Sequence, residues 1–316
     1  MDPGEGLPVI DPEKFTVQYW GALRRHAYRM TGSILDAEDV VQETMLRAVE
    51  MGSSLENVAD HFEWLHIAAT EAAVPLLEQR RPVSIDDFDL PDLVQTTGPG
   101  ADPDSVAVDG DVKWPGAALG FLFPLQYLDP AQRAVVVLDD GFEDSSRMAA
   151  EALHLTVQEI SVIAEEVKKR CAAVRKRWGS TVPFGLLQEN EKTAKVYSRF
   201  LEAFQMKDAA LLQQLLWKDA EMVLESERTT GRDFVATELA LLSKGMGEPI
   251  RFGPVWLNGC RGVLIAGKRE LRSEWSRMAL ALILCNEREV RAIKWYLDGH
   301  ILRGIQADDF DVPTFG

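Results

Sequence analysis

Residues 82–113, PVSIDDFDLPDLVQTTGPGADPDSVAVDGDVK, set eight aspartates against one base, Lys113, and interleave them with proline and glycine. Apolar stretches this short bury too little surface to offset the entropy of ordering, so the segment reads as an acidic linker rather than as part of a core. A chain interrupted in this way must build separate cores on either side. Residues 14–81 carry helical spacing, with Leu23, Ala27 and Met30 in one run and Val40, Val41, Thr44, Met45 and Ala48 in the next. Residues 117–177 repeat that pattern, and GSTVPFG (179–185) interrupts it again. From 189 a helical stretch (Val196, Phe200, Leu201, Phe204) gives way to short runs suited to strands, EMVLES, RGVLIAG, ALALILCN and VRAIKWYL. The expected architecture is multi-domain, two all-α blocks followed by an α+β block.

The formal net charge is −16, and residues 1–81 and 82–113 hold −7 each. That balance argues against coating nucleic acid or anionic membrane through bulk charge. Three scattered cysteines (Cys171, Cys260, Cys285) form neither a CxxC pair nor a disulfide framework, which suits the cytoplasm. The N-terminus has no basic n-region followed by an apolar h-region, and no uncharged apolar run reaches 18 residues, so neither a signal peptide nor a membrane span is expected. The five histidines show no ligand spacing with the cysteines, and no P-loop or dinucleotide fingerprint is present. No metal and no cofactor are expected.

In AYRMTGSILDAEDVVQETMLRAVE (27–50), Thr31-Gly32-Ser33 breaks one helix and Asp36 is positioned to cap the next. Asp36, Asp39 and Glu43 share one helix face with Arg47 a turn further on, while Val40, Val41, Met45 and Leu46 supply a buried stripe. Spacing alone would make this a solvated acidic face. The wording of the segment resembles the most characteristic stretch of bacterial RNA polymerase sigma factors, in particular the extracytoplasmic-function (ECF) group. The resemblance implies that residues 14–81 form sigma region 2 and that Asp36, Glu38, Asp39, Gln42, Glu43 and Arg47 contact core RNA polymerase.

FEWLHIAATEAAVPLLEQRR (62–81) is similar to the stretch with which that family melts and reads the −10 element. Trp64, Leu65, Ala69 and Thr70 fit the pattern. His66 takes an aromatic position, Ile67 the usual Arg and Glu71 the usual Asn, and Pro75 should kink or end the helix. Trp64, Arg80 and Arg81 are the residues left for DNA.

LQYLDPAQRAVVVLDDGFEDSSRMAAEALHLTVQEISVIAEEVKKRCAAVRKRW (125–178) resembles the family's helix-turn-helix, region 4, which reads the −35 element and here would span 114–178. Met148, Ala149, Ala152 and Leu153 supply its first helix, His154 its turn, and Thr156 with Glu159 a capping box opening the second. Recognition helices present Arg, Lys, Asn, Gln or Ser to bases and phosphates. Here the positions the family fills with Lys, Arg, His and Arg are Ser161, Ile163, Glu165 and Glu166. Thr156, Gln158, Ser161, Lys168, Lys169 and Arg170 are the candidate DNA contacts. The cations from Lys168 onward read equally well as a phosphate-contacting tail and as a helix end favoured by its dipole.

VYSRFLEAFQMKDAALLQQLLWKDAEMVLESE (196–227) and the strands after it resemble the SnoaL-like, NTF2-like fold, an α+β cone expected over 186–306 and followed by an acidic tail, 307–316. One branch of ECF sigma factors carries this domain behind regions 2 and 4. Cones of this type hold small-molecule pockets, and Glu225, Trp256, Trp275, Trp295 and Asp298 are the candidate lining residues; tryptophans on strands are more often core. No acid–base constellation stands out, and an enzyme is not expected.

Three readings follow. The first is an ECF-type sigma factor that binds core polymerase and promoter DNA under control of its NTF2-like domain, with an anti-sigma or other regulatory protein as a further partner. The second is a sigma-like protein that has lost promoter binding and acts through protein contacts. The third is an NTF2-like ligand-binding protein or enzyme carrying the helical blocks.

Overall fold

A computed structural model describes residues 12–79, 91–92, 95–96, 125–178, 191–224, 227–247, 249–268, 275–297 and 302. These fall into two compact units. The first contains 12–79, 91–92 and 125–177, and the second contains 95–96, 178 and the described residues from 191 onward. No helix among the described residues is long and apolar enough to cross a membrane.

The first unit opens with α1 (Pro12–Thr31), α2 (Ile34–Met51), a 3-10 turn (Gly52–Asn57) and α3 (His61–Glu78). Gly32 separates α1 from α2 at φ +68°, and a Cβ there would come within 2.8 Å of the Gln126 side chain, so conformation and space both require glycine. The cap of α2 is Ser33, whose hydroxyl accepts from the Asp36 N–H at 3.5 Å, and Asp36 stands inside the first turn. This corrects the expectation that Asp36 caps: Ser33 is the residue with extended backbone, at φ −126° and ψ 131°. Asp60 caps α3, accepting from the Glu63 N–H at 3.0 Å.

Pro75 does not end α3, which continues to Glu78. Packing holds the helix: Leu65, His66, Ile67, Ala68, Ala69, Thr70, Ala73 and Leu77 are all buried, so it is enclosed on most sides. Part of that enclosure comes from the second helical block, α4 (Pro130–Asp139), α5 (Ser145–Ala152) and α6 (Val157–Trp178). Ile67 belongs to one hydrophobic cluster with Val135, Leu138, Met148, Ala149, Ala150, Ala152 and Ile160. Asp129 and Gln132 form a capping box on α4, with Pro130 in its first turn. His154 takes φ +53° in the turn before α6, and Thr156 with Glu159 makes the expected reciprocal cap, at 2.8 and 3.3 Å.

The second unit carries α7 (Glu191–Gln205), α8 (Ala209–Leu215), β2 (Leu216–Leu224), β3 (Glu227–Thr230), α9 (Arg232–Gly245), β4 (Ile250–Leu257), β5 (Cys260–Gly267), β6 (Ser276–Cys285) and β7 (Val290–Tyr296). With β1 (Gln95–Thr96) at one edge, its sheet has the order β1-β4-β5-β6-β7-β2-β3, antiparallel except for β2 beside β7. Strand β1 (Gln95–Thr96) comes from the acidic segment and pairs with Leu257 and Trp256 at the edge. Two residues expected in a linker are therefore part of this sheet.

The helices pack on one face of the sheet, where Phe200, Phe204, Leu239, Phe252, Ile265, Ile283, Ile293 and Trp295 share a core. The opposite face is buried as well, with Leu264, Leu280, Leu282 and Leu284 at 0–1% exposure. Burial on both faces explains why ALALILC reads as a continuous apolar run instead of an alternating one. Helices on one face of a mostly antiparallel sheet make the α+β unit expected from the sequence.

Candidate functional site

Helix α2 buries Ala37, Val40, Val41, Thr44, Met45 and Ala48, residues small or slim enough to let α1 and α3 approach closely. Its outward side is chemically mixed. Leu35, Leu46 and Val49 are 73%, 54% and 57% exposed, and Asp39, Gln42, Glu43 and Glu50 are exposed around them. Positions 35, 39, 42, 46 and 49 fall at successive helical turns, so the apolar and polar groups form one stripe. Leu46 was expected in the buried stripe and is a correction. Residues 45 and 46 are adjacent, and Met45 takes the inward direction. Asp36, Glu38 and Arg47 flank the stripe and are half-buried. The Arg47 Nη1 donates to Glu71 Oε2 of α3 at 2.6 Å.

The candidate DNA residues do not assemble into a comparable surface. Trp64 is half-buried on α3, and Arg80 and Arg81 lie outside the described residues. Thr156, Gln158, Ser161, Lys168 and Lys169 are exposed along α6. Thr156 is engaged by Glu159, and the Ser161 hydroxyl donates to the Val157 carbonyl at 3.0 Å. The Lys168 ammonium pairs with Glu165 at 2.6 Å, and this hydrogen bond holds the Glu165 carboxyl below its usual range. Arg170 donates from Nε to the Tyr127 carbonyl at 3.0 Å, so it helps pin α6 to the segment before α4. Ile163, aligned with a family DNA contact, is half-buried against the helix-turn-helix core. Val162 is exposed in its stead.

Below the seam between α3 and α4 lies a small cavity lined by Arg25, His26, Arg29, Phe62, His66, Gly141 and Phe142 among others. His26 and His66 are buried edge to face, with ring centroids 4.9 Å apart. His26 Nε2 hydrogen-bonds Thr70 Oγ1 at 2.8 Å, and His66 Nδ1 donates to the Phe62 carbonyl at 2.7 Å. Burial lowers the pKa of both: His26 falls well below its usual value and His66 goes to about 4, with the Arg25 and Arg29 guanidiniums adding to the effect at His66. Both rings are neutral at neutral pH. Periodicity gave no hint of this pair, whose contact depends on the packing of α1 on α3.

In the second unit, Glu225 and Asp298 lie outside the described residues. The three tryptophans do not converge. Trp295 is 1% exposed and stacks on Phe204 with centroids 5.3 Å apart. The Arg261 guanidinium lies over Trp256, and Arg251 and Lys268 lie over Trp275. Among the described residues no cluster of His, Cys, Asp or Glu could hold a metal ion.

Residues 17–81 match the Sigma-70 region 2 family. The chain is 28% identical to the ECF RNA polymerase sigma factor SigG of Mycobacterium tuberculosis, over 68% of this chain and 61% of that protein. It is 31% identical to SigJ of the same organism, over half of each chain. The crystal structure of the M. tuberculosis extracytoplasmic function sigma factor SigJ superposes with a TM-score of 0.64 at 23% identity, covering 94% of this chain and all of that one. Residues 17–81 are of the sigma region 2 type, and over about two thirds of its length the chain is similar to ECF RNA polymerase sigma factors. It spans about three-fifths of the length of SigG. The exposed stripe of α2 lies inside the matched region 2 segment, and region 4-like helices α4–α6 pack on α3 in the same compact unit.

Proposed function

We propose that the chain is an ECF-type sigma factor that docks on core RNA polymerase through α2 and directs initiation, without enzymatic activity of its own. The exposed stripe of α2 carries this reading. Two large apolar side chains, Leu46 and Val49, stand one turn apart on a helix whose inner face is already satisfied, with Gln42, Glu43 and Glu50 around them and Asp39 and Leu35 further along the same side. An apolar centre with a polar rim is the anatomy of a protein–protein interface, and the acidic rim calls for a basic partner surface. Glu38, Asp36 and Arg47 extend the rim. The NTF2-like domain would regulate this activity. Promoter DNA, and any anti-sigma protein or small ligand, belong to the same proposal.

A second reading, a polymerase-binding protein that does not read promoters, is favoured by α6. Its outward side shows Val157, Val162, Glu165 and Glu166, and one of its exposed lysines is neutralised by Glu165. Reconstitution with core polymerase, scoring core binding and transcription from genomic DNA separately, tests both. Binding with initiation supports the first reading, and binding without initiation the second. Absence of binding would refute both.

A further inference from the structure

Two hydrogen bonds fix the tautomers of the buried histidine pair. The Thr70 hydroxyl donates to the His66 carbonyl at 2.8 Å, so toward His26 it can only accept, and the proton of the His26 ring sits on Nε2. The His66 ring donates its own proton from Nδ1 to the Phe62 carbonyl at 2.7 Å. His26 Nδ1 and His66 Nε2 are therefore bare lone pairs, and neither receives a hydrogen bond among the described residues. Both rings line the cavity of about 30 Å³ together with Arg25 and Arg29 of α1. At about 10–15 Å³ for each water, that space holds about two. The charges facing it are unbalanced. Against the two guanidiniums stand Asp140, which pairs with Arg29, and Asp60 at the exposed start of α3.

We propose that this cavity is a proton-coupled binding site for one small monovalent anion of halide size. Protonation turns His66 Nε2, and then His26 Nδ1, from a lone pair that repels an anion into an N–H that donates to it. The same proton places a buried positive charge beside Arg25 and Arg29, and a bound anion offsets it. His66 leads, since Asp60 favours its charged form while His26 feels the charge placed on its neighbour. Size selects the anion: the room of about two waters takes a halide and is too small for sulfate or phosphate. Half-buried Arg25, Phe62, Gly141 and Phe142 leave an entry from solvent. By linkage, anion and proton each tighten the hold on the other. The site is independent of docking on polymerase.

The test uses the full chain, isotope-labelled in its histidine rings and titrated by NMR from neutrality into acid. The two salts are sodium chloride at about 0.1 M and sodium methanesulfonate at equal ionic strength, whose anion has the same charge and exceeds the cavity. The His66→Phe chain assigns the His66 resonance. The His66 pKa should stand about one unit higher in chloride, the shift expected when chloride is about tenfold above its dissociation constant for the protonated site. His154, whose side chain is 82% exposed, is the internal control and should titrate alike in both salts. Arg25→Gln should remove most of the chloride shift at His66. Urea unfolding at pH 5 gives a readout that needs no completed titration: chloride should raise the wild-type midpoint over methanesulfonate and leave that of His66→Phe unchanged. Equal His66 pKa values in the two salts would overturn the site, as would equal wild-type midpoints. A chloride shift as large at His154 as at His66, or one that survives Arg25→Gln in full, would overturn it too, since general screening would then account for the effect.

Discussion

Acidification should loosen the first unit through His66, and the amount follows from its burial. The ring is neutral in the folded chain with a pKa of about 4, against an ordinary value of 6.5. Because the folded pKa is depressed, the unfolded chain binds the proton first. The stabilisation is complete above pH 6.5 and is lost as pH falls toward 4. Between pH 7 and pH 5 the loss from His66 alone is about 2 kcal/mol. His26, lowered for the same reason of burial, adds in the same direction. The perturbation is His66→Phe, which keeps an aromatic ring against Phe62 and Phe142 and removes the titrating group. It also removes the bond to the Phe62 carbonyl, at a cost of about 1 kcal/mol that does not vary with pH. Urea unfolding of both chains at pH 7 and pH 5 reads the difference. The variant should lose about 2 kcal/mol less than wild type over that interval. Equal losses would refute the claim that His66 is held neutral by the packing of α1, α3 and Phe142.

Other outcomes are expected from single contacts. Ser33→Ala should destabilise the first unit by about 1 kcal/mol in chemical denaturation, since the hydroxyl caps α2. Trp295→Ala should cost the second unit about 3–5 kcal/mol in thermal or urea unfolding, because the indole is fully enclosed and stacked on Phe204. Lys169→Ala should lower the salt dependence of any duplex binding by about 0.9 in the log–log slope if that exposed ammonium meets a phosphate, and leave it unchanged if the end of α6 is only solvated.

Much of this was legible in the chain itself. Helical spacing placed α2, the Thr156–Glu159 capping pair placed the start of α6, and the runs RGVLIAG and ALALILCN placed β5 and β6. What periodicity could not resolve was direction within a helix where apolar residues are adjacent. Met45 and Leu46 are equally apolar, and only the packing of α1 and α3 sends one inward and leaves the other on the surface. The seam was illegible for a different reason. Ile67 looks like a lost DNA contact until α5, some 80 residues later, closes over it. Gln95 and Thr96 likewise read as linker because their hydrogen bonds are made to β4, far along the chain. The histidine pair depends on a helix crossing that no local pattern encodes. At the site, the charged rim of α2 was visible in sequence and its apolar centre was not.

Titration of core RNA polymerase with the full chain and with Leu46→Asp tests most directly whether the α2 stripe is a docking surface. Leu46 is half exposed and outside the core, so the substitution leaves unfolding free energy within about 0.5 kcal/mol of wild type. Affinity for core should fall about 30-fold if the leucine is central to the interface. Equal affinities for the two chains, with wild-type binding intact, would contradict it.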